Sequence, residues 1–294
     1  MGYNEFINEV EVTIKANVAP EYKVFIQKYT KNNGTQYDGL VILNPSINIS
    51  PTIYLNPYYH RYLEGVSLSD ICNDIMSTYH TYQPKENFNL DFFRDYEKVK
   101  EHIIYKLINY EKNEELLGTV PFFRYYDLAI VFQLMLSDYN GMPGTILIHN
   151  YQLDYWNITV DRLYSDAHNN TCRLLPYRLY DMYDFIKEKA GVDTLSGNIS
   201  SACILTNTSN SNGAACILYE GLIKEVSRKL KSNLILIPSS IHEFIIIPTD
   251  TYDNLDYYSK LVKEVNEAYV QDDELLSDHA YYYSRAEDEI LCNY

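Results

Sequence analysis

The chain has 294 residues, enough for about two domains of ordinary size or for one large domain. Hydrophobic residues make up 46% of it and charged residues 22%, which is typical of globular proteins and excludes collagen, coiled-coil and disordered chains. Forty Asp and Glu against 24 Lys and Arg leave a net charge of −16, which argues against direct binding to nucleic-acid phosphates or anionic membranes.

The first half reads as hairpins separated by helices. Its predicted elements are a helix carrying Ile7, Val10, Ile14 and Val18, strands at 22–29 and 39–43 joined by a turn at 31–34, a strand at 52–55, a helix that begins after Ser67, and a helix from Tyr96 to Tyr110. The run at 128–136 fits a buried strand or a helix, and a turn at 141–144 precedes a strand at 145–149. Val10, Val12 and Ile14 also alternate, so a strand stays open for the first segment.

The second half restarts near Tyr151. Its predicted elements are helices carrying Val160, Leu163 and Ala167 and then Leu179, Met182 and Ile186, a strand at 202–205, a helix at 217–230, a hairpin at 234–238 and 244–247, a helix at 255–269 with Leu261, Val265 and Tyr269 on one side, and a closing strand at 280–283. Because strands come mostly as hairpins and helices in separate blocks, we predict an α+β fold built of antiparallel sheets. A break near residue 150 predicts two similar lobes at 1–150 and 151–294, although one continuous domain fits the same pattern.

Two compositional features bear on function. Tyrosine occurs 31 times, against 10 Phe and one Trp, which indicates either an adhesive surface or the amino-acid usage of an AT-rich genome. Residues 250–294 hold 12 acids and three bases, so this segment carries over half of the net charge. Such a face is either simply solvated or attracts a basic partner.

The sequence lacks the signals that would direct the protein out of the cytoplasm or into a membrane. The N-terminus has acids where a secretory signal would be basic, and no apolar run approaches the roughly 20 residues of a membrane span. Five widely spaced cysteines without a C-x-x-C pair give no disulfide or zinc framework. We therefore expect a cytoplasmic protein that does not contact a membrane.

Several segments, in the right order along nearly the whole chain, together resemble the uncharacterised bacterial family DUF5688, seen mostly in gut clostridia. They are KNNG at 31–34, PTIYLNPYY at 51–59, DFFRDYEKVKEHIIYKLIN at 91–109, TILIHN at 145–150, LTN at 205–207, GAACILY at 213–219, ILIPSSIHE at 235–243 and LSDHAYYY at 276–283. The resemblance implies a cytoplasmic bacterial protein. It implies no activity and no catalytic residues.

The motifs of several enzyme classes are missing. The sequence has no dinucleotide-binding glycine motif, P-loop, H-E-x-x-H, G-x-S-x-G or EF-hand loop. Dinucleotide enzymes, P-loop NTPases, zincins and α/β-hydrolases are therefore disfavoured. We expect neither a cofactor nor a metal.

The segment 238–243 is the best small constellation for chemistry. Ser239 or Ser240 at a hairpin tip could face His242, with Glu243 or Asp278 to orient the imidazole. Glu243 adjoins His242 on a strand, however, so their side chains point to opposite faces. The alternative is a polar turn whose side chains cap backbone groups.

Two further segments are candidate sites. His149 and Asn150 end a strand, and Trp156 could supply a stacking wall there or serve as a core anchor. The loop at 206–213 leads into a helix, so Asn207, Asn212 and Gly213 could bind an anionic ligand. A plain strand–helix connection fits that loop equally.

These features favour a non-enzymatic protein that binds another protein through an acidic, tyrosine-rich surface. The partner would be basic, and one form of the hypothesis is an inhibitor of a nucleic-acid-handling enzyme. The alternative is a small-molecule enzyme, for example a hydrolase, or a sensor, with a site formed by His149, Asn150, Ser239, Ser240, His242 and Asp278. The oligomeric state is left open.

Overall fold

The computed structural model describes residues 1–87, 90–139, 142–182, 202–250 and 255–293. The chain forms two compact units, of which unit 1 comprises residues 1–95 and 135–145 and unit 2 comprises 96–134 and 146–294. These units do not follow the halves predicted at residue 150. The division into lobes at 1–150 and 151–294 stays a prediction.

Unit 1 combines a three-stranded sheet with helices. The elements are α1 (Tyr3–Asn17), β1 (Lys23–Thr30), β2 (Gln36–Leu43), β3 (Thr52–Tyr54), α2 (Asn56–Leu63), α3 (Leu68–Tyr82) and α4 (Leu90–Arg94). The strands pair antiparallel in the order β1-β2-β3. Asn33 and Gly34 have positive φ angles in the tight turn that joins β1 to β2, as the turn prediction required.

The first predicted helix of unit 1 is confirmed. Phe6, Val10 and Ile14 of α1 are fully buried, whereas Val12 is 63% exposed, which removes the alternating-strand interpretation. The predicted start of α3 is also confirmed, because Ser67 Oγ accepts a hydrogen bond from Asp70 N at 3.1 Å. This cap satisfies one of the free N–H groups of the first turn.

Unit 2 contains the remaining elements and two sheets. They are α5 (Tyr96–Val99), β4 (Ile103–Asn109), α6 (Glu114–Leu117), β5 (Phe122–Tyr125), β6 (Leu128–Tyr139), β7 (Met142–Leu147), α7 (Asn150–Trp156), α8 (Val160–Leu174), β8 (Tyr177–Asp181), β9 (Cys203–Asn207), α9 (Leu222–Leu230), β10 (Asn233–Ser240), β11 (Glu243–Thr249), α10 (Leu255–Tyr269), β12 (Tyr281–Ser284) and β13 (Glu289–Cys292). The outer part of the β6–β7 hairpin falls within unit 1. A 3₁₀ helix, Gly213–Leu218, connects β9 to α9.

The larger sheet has the strand order β13-β12-β10-β11-β9-β8. The predicted β10–β11 hairpin lies at its centre, with Ile235 opposite Ile247 and Ile237 opposite Ile245. β12 pairs with the free side of β10. The hairpin is therefore held on both sides, and its tip between Ser240 and Glu243 is fixed.

The smaller sheet has the order β4-β6-β5, with β7 also paired to β6. Side chains of α8 cover the outer edge of β4, because Thr171 Oγ1 accepts from Tyr105 N and Asn170 Nδ2 donates to Ile103 O. These bonds satisfy backbone groups that an edge strand would otherwise leave unpaired.

One helix prediction was wrong and another was wrong in part. Residues 96–110 form only the short α5, a 3₁₀ turn and the strand β4, because all of β4 except Lys106 is buried and such a strand shows no alternation. Of the second predicted helix, Leu179 lies instead in the strand β8, paired with Leu205, whereas Met182 is helical as predicted. Ile186 lies outside the described residues. The strand β13 was not predicted.

The helix α10 was predicted with correct bounds, but the predicted apolar side faces solvent. Leu261 is 39% exposed, Val265 42% and Tyr269 85%. The buried residues of α10 are Leu255, Val262 and Asn266. The helix therefore has a second apolar face that the described part of the chain leaves uncovered.

The predicted α+β class with antiparallel sheets is confirmed by these elements and pairings. Among the residues that the structure describes, no helix combines the length and the apolar character needed to cross a membrane.

Candidate binding cleft

The tip of the β10–β11 hairpin carries three of the predicted site residues. The register shifts between Pro238 and Ser240, and the turn follows at once. Ser240 Oγ accepts a hydrogen bond from the backbone N–H of His242 at 3.0 Å. Ser240 therefore acts as a cap for the turn, the structural alternative considered for this segment.

The imidazole of His242 is held from two sides. Its Nδ1 accepts a hydrogen bond from the backbone N–H of Asn212 at 3.1 Å, and its Nε2 lies 3.6 Å from Oε1 of Glu274. Since Nδ1 is an acceptor, the neutral ring carries its proton on Nε2, directed towards Glu274. Neither serine hydroxyl is hydrogen bonded to this imidazole within the described part of the chain. The arrangement does not assemble a serine nucleophile with its base.

A cleft of about 400 Å³ opens beside the hairpin tip. Asn210, the hairpin tip and Glu274 supply its polar lining. The end of α10 and Val270, which follows it, supply its apolar lining. The lining residues are Asn210, Ser239, Ser240, His242, Glu243, Val265, Tyr269, Val270 and Glu274. Ser239 Oγ donates to Glu243 Oε1 across 3.5 Å. The cleft is thus rich in hydrogen-bond acceptors and has one aliphatic and aromatic wall.

Glu274 is the charged lining residue that could not be predicted as part of a site from the sequence, and the same is true of Asn210, Val265, Tyr269 and Val270. The carbonyl oxygen of Glu274 accepts a hydrogen bond from Ile241 N at 2.8 Å, which ties the segment after α10 to the hairpin tip. Glu274 N in turn donates to Gln271 O at 2.9 Å. No local motif marks this residue, and only the pairing of distant segments brings it opposite His242.

A buried polar network holds the chain just beyond Glu274. The carboxylate of Asp127, only 7% exposed, accepts hydrogen bonds from Ser277 Oγ at 2.6 Å and from the hydroxyl of Tyr281. Burial raises the pKa of Tyr281 well above its usual value, and the neighbouring Asp127 carboxylate adds to this by disfavouring a second negative charge. The same carboxylate contributes, after burial, to the raised pKa of Cys292, about 12.

The polar groups of the loop at 206–213 bond within the loop and to the hairpin tip. Asn207 Nδ2 donates to Ser211 O at 2.8 Å, and its Oδ1 accepts from Ser209 N and Oγ. Asn212 has a φ of 51° and orients its N–H towards His242. The loop therefore supports the cleft from behind, and the anion-binding role predicted for Asn207, Asn212 and Gly213 stays a prediction.

Gly213 is required for close packing at this point. A Cβ there would lie 2.2 Å from Thr206 Oγ1 and 2.5 Å from the carbonyl oxygen of His242. Those two atoms are hydrogen bonded to each other at 2.8 Å. Only glycine leaves room for the loop to meet the hairpin tip.

The remaining predicted residues do not line the cleft. His149 precedes α7, where its backbone N–H donates to Gln152 Oε1 and its ring stacks on Tyr151 with centroids 5.8 Å apart. Asn150 is exposed, and Trp156 is a core residue only 8% exposed. Asp278 accepts a hydrogen bond from Asn266 Nδ2 at 2.8 Å. The catalytic set proposed from the sequence is therefore divided among separate places, and only Ser239, Ser240 and His242 meet.

No group of three or more His, Cys, Asp or Glu side chains in the described ranges is arranged to hold a metal ion.

The elements above define the chain as an α+β protein with an acceptor-lined surface cleft beside an exposed apolar helix face. The model of DUF5688, a family of unknown function, matches residues 3–285. The chain belongs to this family, which confirms the resemblance seen in the sequence. Neither the curated proteins nor the solved structures compared with the chain gave a match.

Proposed function

We propose that this protein binds another protein of opposite charge through the exposed face of α10. The observation that carries the proposal is a row of four apolar side chains, one helical turn apart, on the solvent side of that helix. We call this row the α10 stripe: Tyr257, Leu261, Val265 and Tyr269, exposed by 64%, 39%, 42% and 85%. Residues four apart on a helix are neighbours, so the row forms one surface.

The size of this surface supports a binding role. Tyr257 and Tyr269 alone present roughly 300 Å² of side chain, taking about 200 Å² for a whole tyrosine. The largest apolar patch of a typical monomer measures about 300–600 Å² and is often functional. Tyrosine is also among the residues that contribute most to binding when an interface covers them.

Charge indicates the kind of partner. The segment 250–294, which contains α10 and the turn with Glu274, has 12 acids against three bases. A second copy of the chain carries the same excess of acids in this segment and would be repelled by it, whereas a basic partner would be attracted. We therefore propose a positively charged protein rather than self-association.

We place this interaction in the bacterial cytoplasm, the compartment that the family resemblance implies. Free thiols at all five cysteines are in keeping with a reducing compartment.

A hydrolytic function at the hairpin tip is less well supported. Ser240 Oγ is used by the turn, and Nδ1 of His242 is used by Asn212. The other groups that line the cleft, two carboxylates and an apolar wall, are suited to binding a ligand.

A site-specific crosslink tests the proposal. A photoreactive phenylalanine analogue is placed at Tyr257 or Tyr269 in the native host, and the adducts are identified by mass spectrometry. Tyr155 on α7 is the matched control, since its exposure of 62% equals that of Tyr257 within a few per cent. We expect one basic protein at both stripe positions and not at the control.

Binding of the purified partner then decides the matter. Tyr269→Ala should weaken the binding of the partner at least about tenfold, whereas Tyr155→Ala should leave it unchanged. Added salt should weaken it as well. Equal adducts at all three positions, an acidic partner, or an adduct between two copies of the chain would each overturn the proposal.

A further inference from the structure

We infer that the cleft receives one lysine or arginine side chain of the partner, an inference that rests on the proposed function. Val265 and Tyr269 belong both to the α10 stripe and to the lining of the cleft. A partner segment lying along the stripe therefore reaches the cleft without leaving the surface of α10.

The polar end of the cleft is suited to a donor-rich cation. Carboxylates from two separate elements, Glu243 on β11 and Glu274 after α10, line it together with the hydroxyls of Ser239 and Ser240. Apart from His242, none of the described lining residues carries a basic side chain. Ammonium and guanidinium groups carry only donors and a positive charge, so they complement this set.

The apolar wall is suited to the stem of such a side chain. Val265 and Val270 offer aliphatic surface, and Tyr269, a residue that is 85% exposed, also lines the cleft. Lysine and arginine lay their methylene groups along apolar surface while the charged end stays in polar surroundings. A guanidinium also stacks favourably on a tyrosine ring.

The size of the cleft limits the occupant to something small. Its volume of about 400 Å³ lies near the lower end of the range of ligand pockets. The walls are fixed from behind, because the loop at 206–213 and the segment with Glu274 are both hydrogen bonded to the hairpin tip. A single side chain therefore enters a site that is already formed.

The test uses the full-length protein and two small probes, Nα-acetyl-argininamide and its uncharged analogue Nα-acetyl-citrullinamide. Binding is followed by the NMR signals of the His242 ring, whose Nε2 lies 3.6 Å from Glu274. We expect argininamide to bind at least about tenfold more tightly than citrullinamide, since the guanidinium makes charge-assisted hydrogen bonds.

Variants assign the effect to the cleft. Glu274→Gln and Glu243→Gln should each weaken argininamide binding about tenfold. Glu267→Gln is the matched control, because Glu267 is an exposed acid of α10 that does not line the cleft. Equal affinity for the two probes, or equal loss in all three variants, would overturn the inference. In that case a specific crosslink at Tyr257 would still support the proposed function, so the two failures are distinguishable.

Discussion

Replacing Gly213 by alanine is expected to destabilise unit 2, because the added methyl group has no space. The new Cβ would lie 2.2 Å from Thr206 Oγ1, 2.5 Å from His242 O and 2.7 Å from Asn207 N. Carbon and oxygen atoms in close contact lie about 3.3–3.6 Å apart, so these groups must retreat by about 1 Å. Two of the three are backbone atoms of β9 and of the hairpin turn, which cannot move as a flexible side chain does.

The cost has two parts. Overpacking of a tight site costs about 1–3 kcal/mol. The hydrogen bond from Thr206 Oγ1 to His242 O, now 2.8 Å long, is broken by the wedge, at a cost of about 1 kcal/mol. The free energy of unfolding should therefore fall by about 2–4 kcal/mol.

Urea unfolding measures this change through the fluorescence of Trp156. Trp156 is the one tryptophan of the chain and is buried in unit 2. Gly118→Ala is the control, since its Cβ would meet nothing closer than 3.4 Å and its φ of −65° suits alanine. The reasoning is refuted if Gly213→Ala unfolds within about 0.5 kcal/mol of the unchanged protein, the range of ordinary surface substitutions.

Two further predictions concern the buried phenol beside Asp127. Tyr281→Phe removes a hydrogen-bond donor from that buried carboxylate and should lower the free energy of unfolding, measured in urea, by about 2–3 kcal/mol. Tyr283→Phe should cost less, because the hydroxyl of Tyr283 donates to the half-exposed Asp288. Equal losses in the two variants would contradict the reasoning. Because the pKa of Tyr281 is raised in the fold, this phenol ionises first in the unfolded chain, so its contribution is full below pH 10.0 and declines as the pH rises beyond it. Urea midpoints should therefore fall only above about pH 10, and a midpoint that stays constant up to about pH 11 would contradict the burial of this hydroxyl.

Elements governed by local rules could be predicted from the sequence. The turn at 31–34 followed from residues that tolerate positive φ, and the start of α3 followed from the cap at Ser67. The β10–β11 hairpin followed from two apolar runs around a polar turn. In each case the deciding interactions lie within a few residues of one another.

Elements decided by tertiary burial could not be predicted in the same way. The residues of β4 that fit a helical spacing are separated by residues that are mostly apolar as well. A strand buried on both faces has this continuous apolar sequence, so the helical spacing was misleading. On α10 the sequence predicted the side with Leu261, Val265 and Tyr269 as the apolar one, and nothing local distinguishes it from the buried face with Val262.

The candidate site was predictable only in part for the same reason. Ser239, Ser240 and His242 are adjacent in the chain, so their meeting at a hairpin tip was visible in the sequence. Glu274 and Tyr269 join them through the packing of segments about 30 residues away, which no spacing rule describes.

The strand order of the larger sheet also affects how the protein emerges during synthesis. β10 is made before β12, its neighbour in the sheet, and residues 241–280 separate the two. Throughout that interval one side of β10 presents unpaired backbone groups beside Ile235 and Leu236, which are fully buried once folding is complete. An open apolar strand edge of this kind is a template for aggregation. The edge is closed only once Tyr281–Ser284 has been made and pairs with β10.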